Sequence, residues 1–181
     1  MKFRDLIKPM IIIGSLVMLL CYLTNKPVTF GDYFSCVSHA VSVVTVAFFV
    51  YERWLWRYIP WKRPPVLKKH YNGSIIYTED TEVRTKEIVV SVKQSLFSVS
   101  VQTKTDINAS YSITATINME HGIYFLYYSY ITNPNAIVME GNPIQYGTCR
   151  MALQKDTSTL KGKYWNTSRR NGDISWFASV Q

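Results

Sequence analysis

The residues best suited to chemistry lie in the last third of the chain. In Leu126-Tyr127-Tyr128-Ser129-Tyr130, Tyr128 and Tyr130 share one face of an extended strand. Gly162, Tyr164 and Asn166 share a face further on. A tyrosine aimed into a pocket stacks its ring on a flat heterocycle and donates a hydrogen bond from its tip. Arg150 and Arg169, with Arg170 beside them, offer paired planar donors suited to phosphate. The plainer alternatives are that each tyrosine is core and that Arg169 and Arg170 form a solvated turn.

This is binding chemistry, not catalysis. The chain has no Gly-rich phosphate loop, no cysteine pair at metal spacing and no His-x-x-His, and its three histidines, His39, His70 and His121, lie in separate contexts. No catalytic residue, metal or cofactor is therefore expected. A hydrolase would have only His70 and His121, both at strand ends, to work with.

The elements that must position these side chains are strands. After Lys69 the residues alternate with period two, β-branched and aromatic types dominate, and short polar breaks recur. Eight strands are predicted, over 70–78, 85–93, 96–104, 110–118, 123–132, 146–154, 159–167 and 173–180. Gln94-Ser95, Glu120-His121-Gly122, Asn133-Pro134-Asn135 and Asn171-Gly172 are the predicted connectors. Short connectors imply antiparallel neighbours, and closure removes both sheet edges. The expected fold is an all-β, eight-stranded, antiparallel up-and-down barrel of the lipocalin-like kind. Val99, Val101, Tyr111, Ile113, Ala115, Ile117, Cys149, Met151 and Leu153 should face inward. Ser98, Ser100, Gln102, Ser110, Ser112, Thr114 and Thr116 should face water, which suits a soluble barrel and not an outer-membrane one.

Two apolar runs precede the barrel. Residues 33–51 contain no Asp, Glu, Lys or Arg, enough as a helix to cross a core of ~30 Å. The run over 10–24 reaches span length by counting back to Leu6, with Lys8 and Pro9 tolerable in the first turn. No small-x-small cleavage site follows it, so it is read as a span and not as a signal peptide. The expected division is a two-helix membrane region over 1–60 (spans 6–24 and 33–51), a basic, Pro-containing linker over 61–69, and the barrel over 70–181. Ser35, Ser38, His39, Ser42 and Thr45 form a polar stripe on the second span, suited to helix–helix contact and homo-oligomerisation in the membrane.

Charge sets orientation. The 181 residues carry a net charge of +8, and ten Lys/Arg against three Asp/Glu fall before residue 70, with ten against nine after it. Nine basic residues flank the outer ends of the spans: Lys2, Arg4, Lys8, Arg53, Arg57, Lys62, Arg63, Lys68 and Lys69. Lys26 alone lies between the spans, which places both termini and the barrel in the cytoplasm. Trp54, Trp56, Tyr58 and Trp61 mark the boundary. The juxtamembrane cluster reads as contact with membrane lipids and not as binding of a nucleic acid polymer. Cys149 should be a reduced thiol in a cytosolic head.

Tyr71-x-Gly73, Leu126-x-Tyr128-x-Tyr130-x-x-Asn133-Pro134, Tyr146-Gly147-Thr148, Leu160-x-Gly162-x-Tyr164 and Arg169-x-x-Gly172-x-Ile174, following two spans, resemble the bacterial two-transmembrane β-barrel effectors encoded beside cyclic-oligonucleotide synthases in CBASS anti-phage defence. One departure is Tyr146, where a polar residue such as His is expected. The resemblance implies a sensor. A cyclic dinucleotide ligand enters the barrel, the protein oligomerises through its helices, and the inner membrane fails. On that reading Arg150 and Arg169 hold phosphates, Tyr128, Tyr130 and Tyr164 line the ligand, and Thr148, Asn166 and Thr167 read base edges. The alternative from the residues alone is a membrane-tethered, lipocalin-like binder of an apolar small molecule.

Overall fold

The uncharged runs form two helices, α1 at Arg4–Asn25 and α2 at Phe30–Arg53, and a short 3-10 turn follows at Leu55–Arg57. The computed structural model describes residues 4–58, 64–79, 82–106, 108–134 and 144–179, in two units, 1–64 and 65–181. α1 stops where Lys26 turns left-handed (φ 44°) and Pro27 forbids continuation. α2 starts on a capping box: Thr29 Oγ1 accepts from the Asp32 amide at 3.3 Å while Asp32 Oδ2 accepts from the Thr29 amide at 2.9 Å. α2 is long and apolar enough to cross a bilayer; the apolar part of α1, Met10–Asn25, is shorter.

The helices meet through small residues. Cys36 and Ala40 are the buried residues of α2, and a β-carbon on Gly14 would stand 3.4 Å from Val44 Cγ2. Cys36, Ala40 and Val44 recur at four-residue spacing, one stripe of a helix. Cys21 and Cys36 form a disulfide with Cα atoms 5.8 Å apart, a pairing that the sequence reading did not anticipate. The stripe of Ser35, Ser38, His39, Ser42 and Thr45 is exposed, away from α1. Its polar atoms bond back to the helix: His39 Nδ1 to the Ser35 carbonyl at 2.7 Å, Ser42 Oγ to that of Ser38 and Thr45 Oγ1 to that of Val41, both at 2.8 Å.

The second unit is the expected barrel: β1 His70–Glu79, β2 Glu82–Gln94, β3 Val99–Lys104, β4 Asn108–Glu120, β5 Ile123–Pro134, β6 Gln145–Leu153, β7 Thr159–Asn166 and β8 Asn171–Ala178. Each strand pairs antiparallel with the next, and β1 closes on β8 from Tyr71 opposite Ala178 to Tyr77 opposite Gly172. One end, the base, is dry. Tyr71, Val90, Val101, Leu126, Met151, Leu160 and Trp176 are almost wholly buried there, with the Trp176 ring 5.8 Å from both Tyr71 and Tyr128.

The expected linker is shorter on its barrel side, for residues 65–69 are fastened into the base; residues 61–63 lie outside the described residues. Gln94 accepts from the Leu67 amide at 2.8 Å and donates to the Pro65 carbonyl at 3.0 Å. Thr157 donates to the Val66 carbonyl at 2.8 Å, and the Tyr71 hydroxyl accepts from the Lys68 amide and donates to the Thr157 carbonyl.

Two local expectations are corrected. The β4 ladder slips between Ser112 and Thr114, so that Ser112 pairs with Tyr130 and Thr114 with Ser129, leaving Ile113 as the extra residue of a bulge. One extra residue exchanges the faces. Ala115 and Ile117 pack inward as expected, but Tyr111 and Ile113 are 44 % and 58 % exposed, and Ser110 turns inward. The Asn171-Gly172 turn is also displaced. Both residues already belong to β8, and the turn falls at 167–170, where Arg169 adopts φ 58°. The predicted Asn135 and Val180 positions lie outside the described residues.

Candidate functional site

The opposite end of the barrel, the mouth, holds a cavity with about 790 Å³ of unfilled space counting its opening. The inward parity of each strand supplies the lining. β1 contributes Ile75 and Tyr77, β2 Lys86, and β3 and its exit Thr103 and Thr105. The first half of β4 contributes Asn108 and Ser110, and β5 contributes Tyr128, Tyr130 and Thr132. Gln145 and Cys149 come from β6, Tyr164 and Asn166 from β7, Arg170 from the turn into β8, and Ile174 from β8 itself. Two cations and no carboxylate stand among the described lining residues.

Glycines position the tyrosines. A β-carbon at Gly147 would collide with the Tyr130 ring, and one at Gly172 would stand 3.0 Å from Tyr164 and clash with the Ile76 backbone. The bare backbone at 147 thus leaves the space that the Tyr130 ring fills. Tyr128 is 4 % exposed and forms the floor, with Cys149 and Thr103 as its hydrogen-bond partners. Asn166 braces the rim: its Nδ2 donates to Gln145 Oε1 at 2.8 Å and its Oδ1 accepts from the Arg170 amide at 3.0 Å.

Burial fixes the protonation states. It pushes the Tyr164 phenol and the Cys149 thiol each up to about 12, and holds the Tyr128 and Tyr130 phenols well above the ordinary phenol value. At neutral pH these are uncharged donors, not nucleophiles. Burial also lowers Lys86, with Asp106 opposing that shift and the neighbouring Arg170 charge adding to it. Arg170 lies 5.9 Å over the Tyr77 ring. Neutral phenols, hydroxyls and two cations can bind an anion that also carries flat rings.

Of the residues singled out in the sequence, Tyr128, Tyr130, Tyr164 and Asn166 meet in this cavity. Thr148, Arg150, Thr167 and Arg169 do not line it. Thr148 and Arg150 have the parity opposite to the buried Cys149 and Met151, which places them on the outer face. Arg150 is committed there: Nη2 pairs with Glu120 at 3.0 Å, Nε donates to the Tyr127 hydroxyl at 2.6 Å, and the guanidinium lies 3.9 Å over Phe125. Thr167 closes the β6–β7 rim, its Oγ1 accepting from the Tyr146 amide at 3.3 Å, and Arg169 sits exposed in its turn.

The cation that sequence reasoning missed is Lys86. The signal was present, since Lys86 shares parity with Ile88, Val90 and Val92 and is a lysine on an apolar face. Asn108 and Ser110 were hidden by the bulge.

Residues 63–177 match the family described as Cap15, cyclic dinucleotide receptor domain. The chain is also 35 % identical over 144 residues, 76 % of its own length and 76 % of the relative's, to CD-NTase-associated protein 15 of Staphylococcus schleiferi. The matched region takes in nearly all of the barrel, from before β1 to Phe177 in β8, and with it the whole lining of the cavity. The chain belongs to the Cap15 family.

Proposed function

We propose that the barrel is the receptor for a cyclic dinucleotide, held at its mouth, and that the protein is a CBASS effector which binds and does not catalyse. What supports this most directly is the pairing of Lys86 and Arg170 with ring-bearing Tyr77, Tyr130 and Tyr164 in a cavity without a carboxylate among its described lining residues. A cyclic dinucleotide brings two phosphates and two flat bases, the chemistry those groups complement. The family description supports the same ligand. Lys86 and Arg170 replace Arg150 and Arg169 as phosphate partners. The alternative of an apolar ligand is disfavoured by the cations and hydroxyls of the mouth.

The helices complete the proposal. They cross the inner membrane as a hairpin with both termini and the barrel cytoplasmic, and ligand binding drives homo-oligomerisation that disrupts the bilayer. The exposed polar stripe of α2 is the face available for a neighbouring helix. Titration calorimetry of the full chain in detergent with a panel of cyclic dinucleotides, and with a fatty acid as control, tests the receptor. Saturable heat with a dinucleotide and none with the fatty acid is expected, and the reverse refutes it.

A further inference from the structure

One unbroken run of aromatic contacts joins the floor of the mouth cavity to the base of the barrel. The ring centroids of Tyr130 and Tyr128 lie 6.0 Å apart, those of Tyr128 and Trp176 5.8 Å, and those of Trp176 and Tyr71 5.8 Å. Tyr130 and Tyr128 line the cavity; Trp176 and Tyr71 lie behind them and are not among its described lining residues. Packing fixes Trp176, since its buried Nε1 has no hydrogen-bond partner among the described residues. Gly73 closes on it so tightly that a β-carbon there would stand 2.9 Å from Trp176 Cδ1.

The run ends in hydrogen bonds. The Tyr71 hydroxyl accepts from the Lys68 amide at 2.8 Å and donates to the Thr157 carbonyl at 2.9 Å. Thr157 Oγ1 donates to the Val66 carbonyl at 2.8 Å. Residues 65–69, held in this way, are the stretch of chain that leads from the helices into β1. The fastening is strained, because Thr157 is β-branched and sits at φ 56°, in the left-handed region. Strain of this kind lowers the cost of opening it.

We propose that Tyr71 and Trp176 are positioning residues for the ligand, and that through them the fastening of residues 65–69 is coupled to occupancy of the mouth. With the segment fastened, Tyr71 is pinned at its hydroxyl, Trp176 rests on Tyr71, and Tyr128 rests on Trp176, so the cavity floor is formed. With the segment released, the Tyr71 hydroxyl loses a partner and the rings stacked on it gain freedom. A ligand that touches Tyr128 and Tyr130 binds the fastened form better, and a ligand shifts an equilibrium only toward the form it prefers. Binding at the mouth thus tightens the hold on the segment that leads to the helices. By reciprocity, fastening at the base raises affinity at the mouth. This coupling rests on the receptor reading above and adds the route by which occupancy leaves the barrel.

Hydrogen–deuterium exchange of the full chain in detergent tests it, with calorimetry on the same samples and cyclic di-AMP, cyclic di-GMP, cyclic GMP–AMP and cyclic UMP–AMP as probes. The Leu67 and Lys68 amides donate to Gln94 and Tyr71. A probe that gives saturable heat should slow their exchange about tenfold. Tyr71→Phe, which removes only a hydroxyl, should speed that exchange and weaken the probe about tenfold, and Thr157→Ala about threefold. The fold of both variants is checked by the circular dichroism of the barrel, and the exchange of the parent decides the matter if either fails to fold. A probe that binds the parent yet leaves exchange at Leu67 and Lys68 unchanged or faster overturns the coupling alone. So does a probe that binds folded Tyr71→Phe as tightly as the parent. No saturable heat from any probe with the parent refutes the receptor reading, and the coupling with it.

Discussion

Tyr130 lies directly against the backbone of Gly147, so closely that a β-carbon at residue 147 would overlap its ring and hydroxyl. The two face each other across β5 and β6, and this contact holds one wall of the cavity in place. Gly147→Ala should push the ring into the mouth or out of it. Loss of one stacked base costs roughly 1 to 3 kcal/mol, so calorimetry should show about a tenfold or greater fall in cyclic dinucleotide affinity, with the β circular-dichroism spectrum kept. Affinity equal to that of the parent would mean that Tyr130 does not touch the ligand.

The cations divide into two groups with opposite expected outcomes. Lys86→Met should weaken binding by about 2 to 5 kcal/mol, the range for losing one partner of a desolvated charge pair, and Arg170→Ala by less, because Arg170 is exposed on the rim. Arg150→Ala should leave affinity unchanged, because its guanidinium is committed to Glu120 and Tyr127 on the outer face. Strong binding loss in the Arg150 variant alone would move the phosphate site to the outer wall.

Lys86 also sets a pH dependence. Its burial lowers its pKa below the ordinary 10.5, so as pH rises it loses its proton earlier than a free lysine. A bound phosphate favours the charged form and raises that pKa, so binding takes up a proton in this window. Affinity should fall as pH rises through the lowered Lys86 value and should lose that step in Lys86→Met. The unliganded barrel should do the opposite: its folded state binds the proton less tightly than the unfolded chain, so stability rises with pH across the same window.

Membrane topology is checked from the Cys21–Cys36 link, which ties the two ends of the helix hairpin beside the loop carrying Lys26. Disulfides persist in oxidising compartments. An impermeant maleimide applied to intact cells should label these cysteines only after reduction, and Cys149, buried in the barrel, not at all. Labelling of neither cysteine after reduction, together with a periplasmic C-terminal reporter, would invert the proposed orientation.

The polar stripe of α2 gives a separate outcome. Replacing Ser38, His39 and Ser42 together with leucine should preserve dinucleotide affinity and membrane insertion while reducing killing in cells that make the ligand. Undiminished killing would leave the stripe a matter of helix packing, its hydroxyls and imidazole already satisfied by the backbone.

Periodicity determined the elements and their order, while the closing of β1 on β8 was decided by pairing. Two uncharged runs, eight alternating strands and short connectors are local patterns, because side-chain direction repeats every two residues in a strand and every 3.6 in a helix. The same parity correctly grouped Tyr128 with Tyr130 and Tyr164 with Asn166. What tertiary structure decided is everything that depends on register between strands. The extra residue at Ile113 exchanged the faces of β4, turning Ser110 into the cavity and Tyr111 out of it, and no residue type at that position announces a bulge. Which end of the barrel stays open was also settled across strands, where Trp176, Tyr71 and the Pro65–Lys69 segment fill the base. That choice put Lys86 and Arg170 at the mouth; Arg150 is kept from it by parity, facing outward between the buried Cys149 and Met151. A chain's own pattern tells each side chain which face it takes; only pairing with its neighbours tells it what that face encloses.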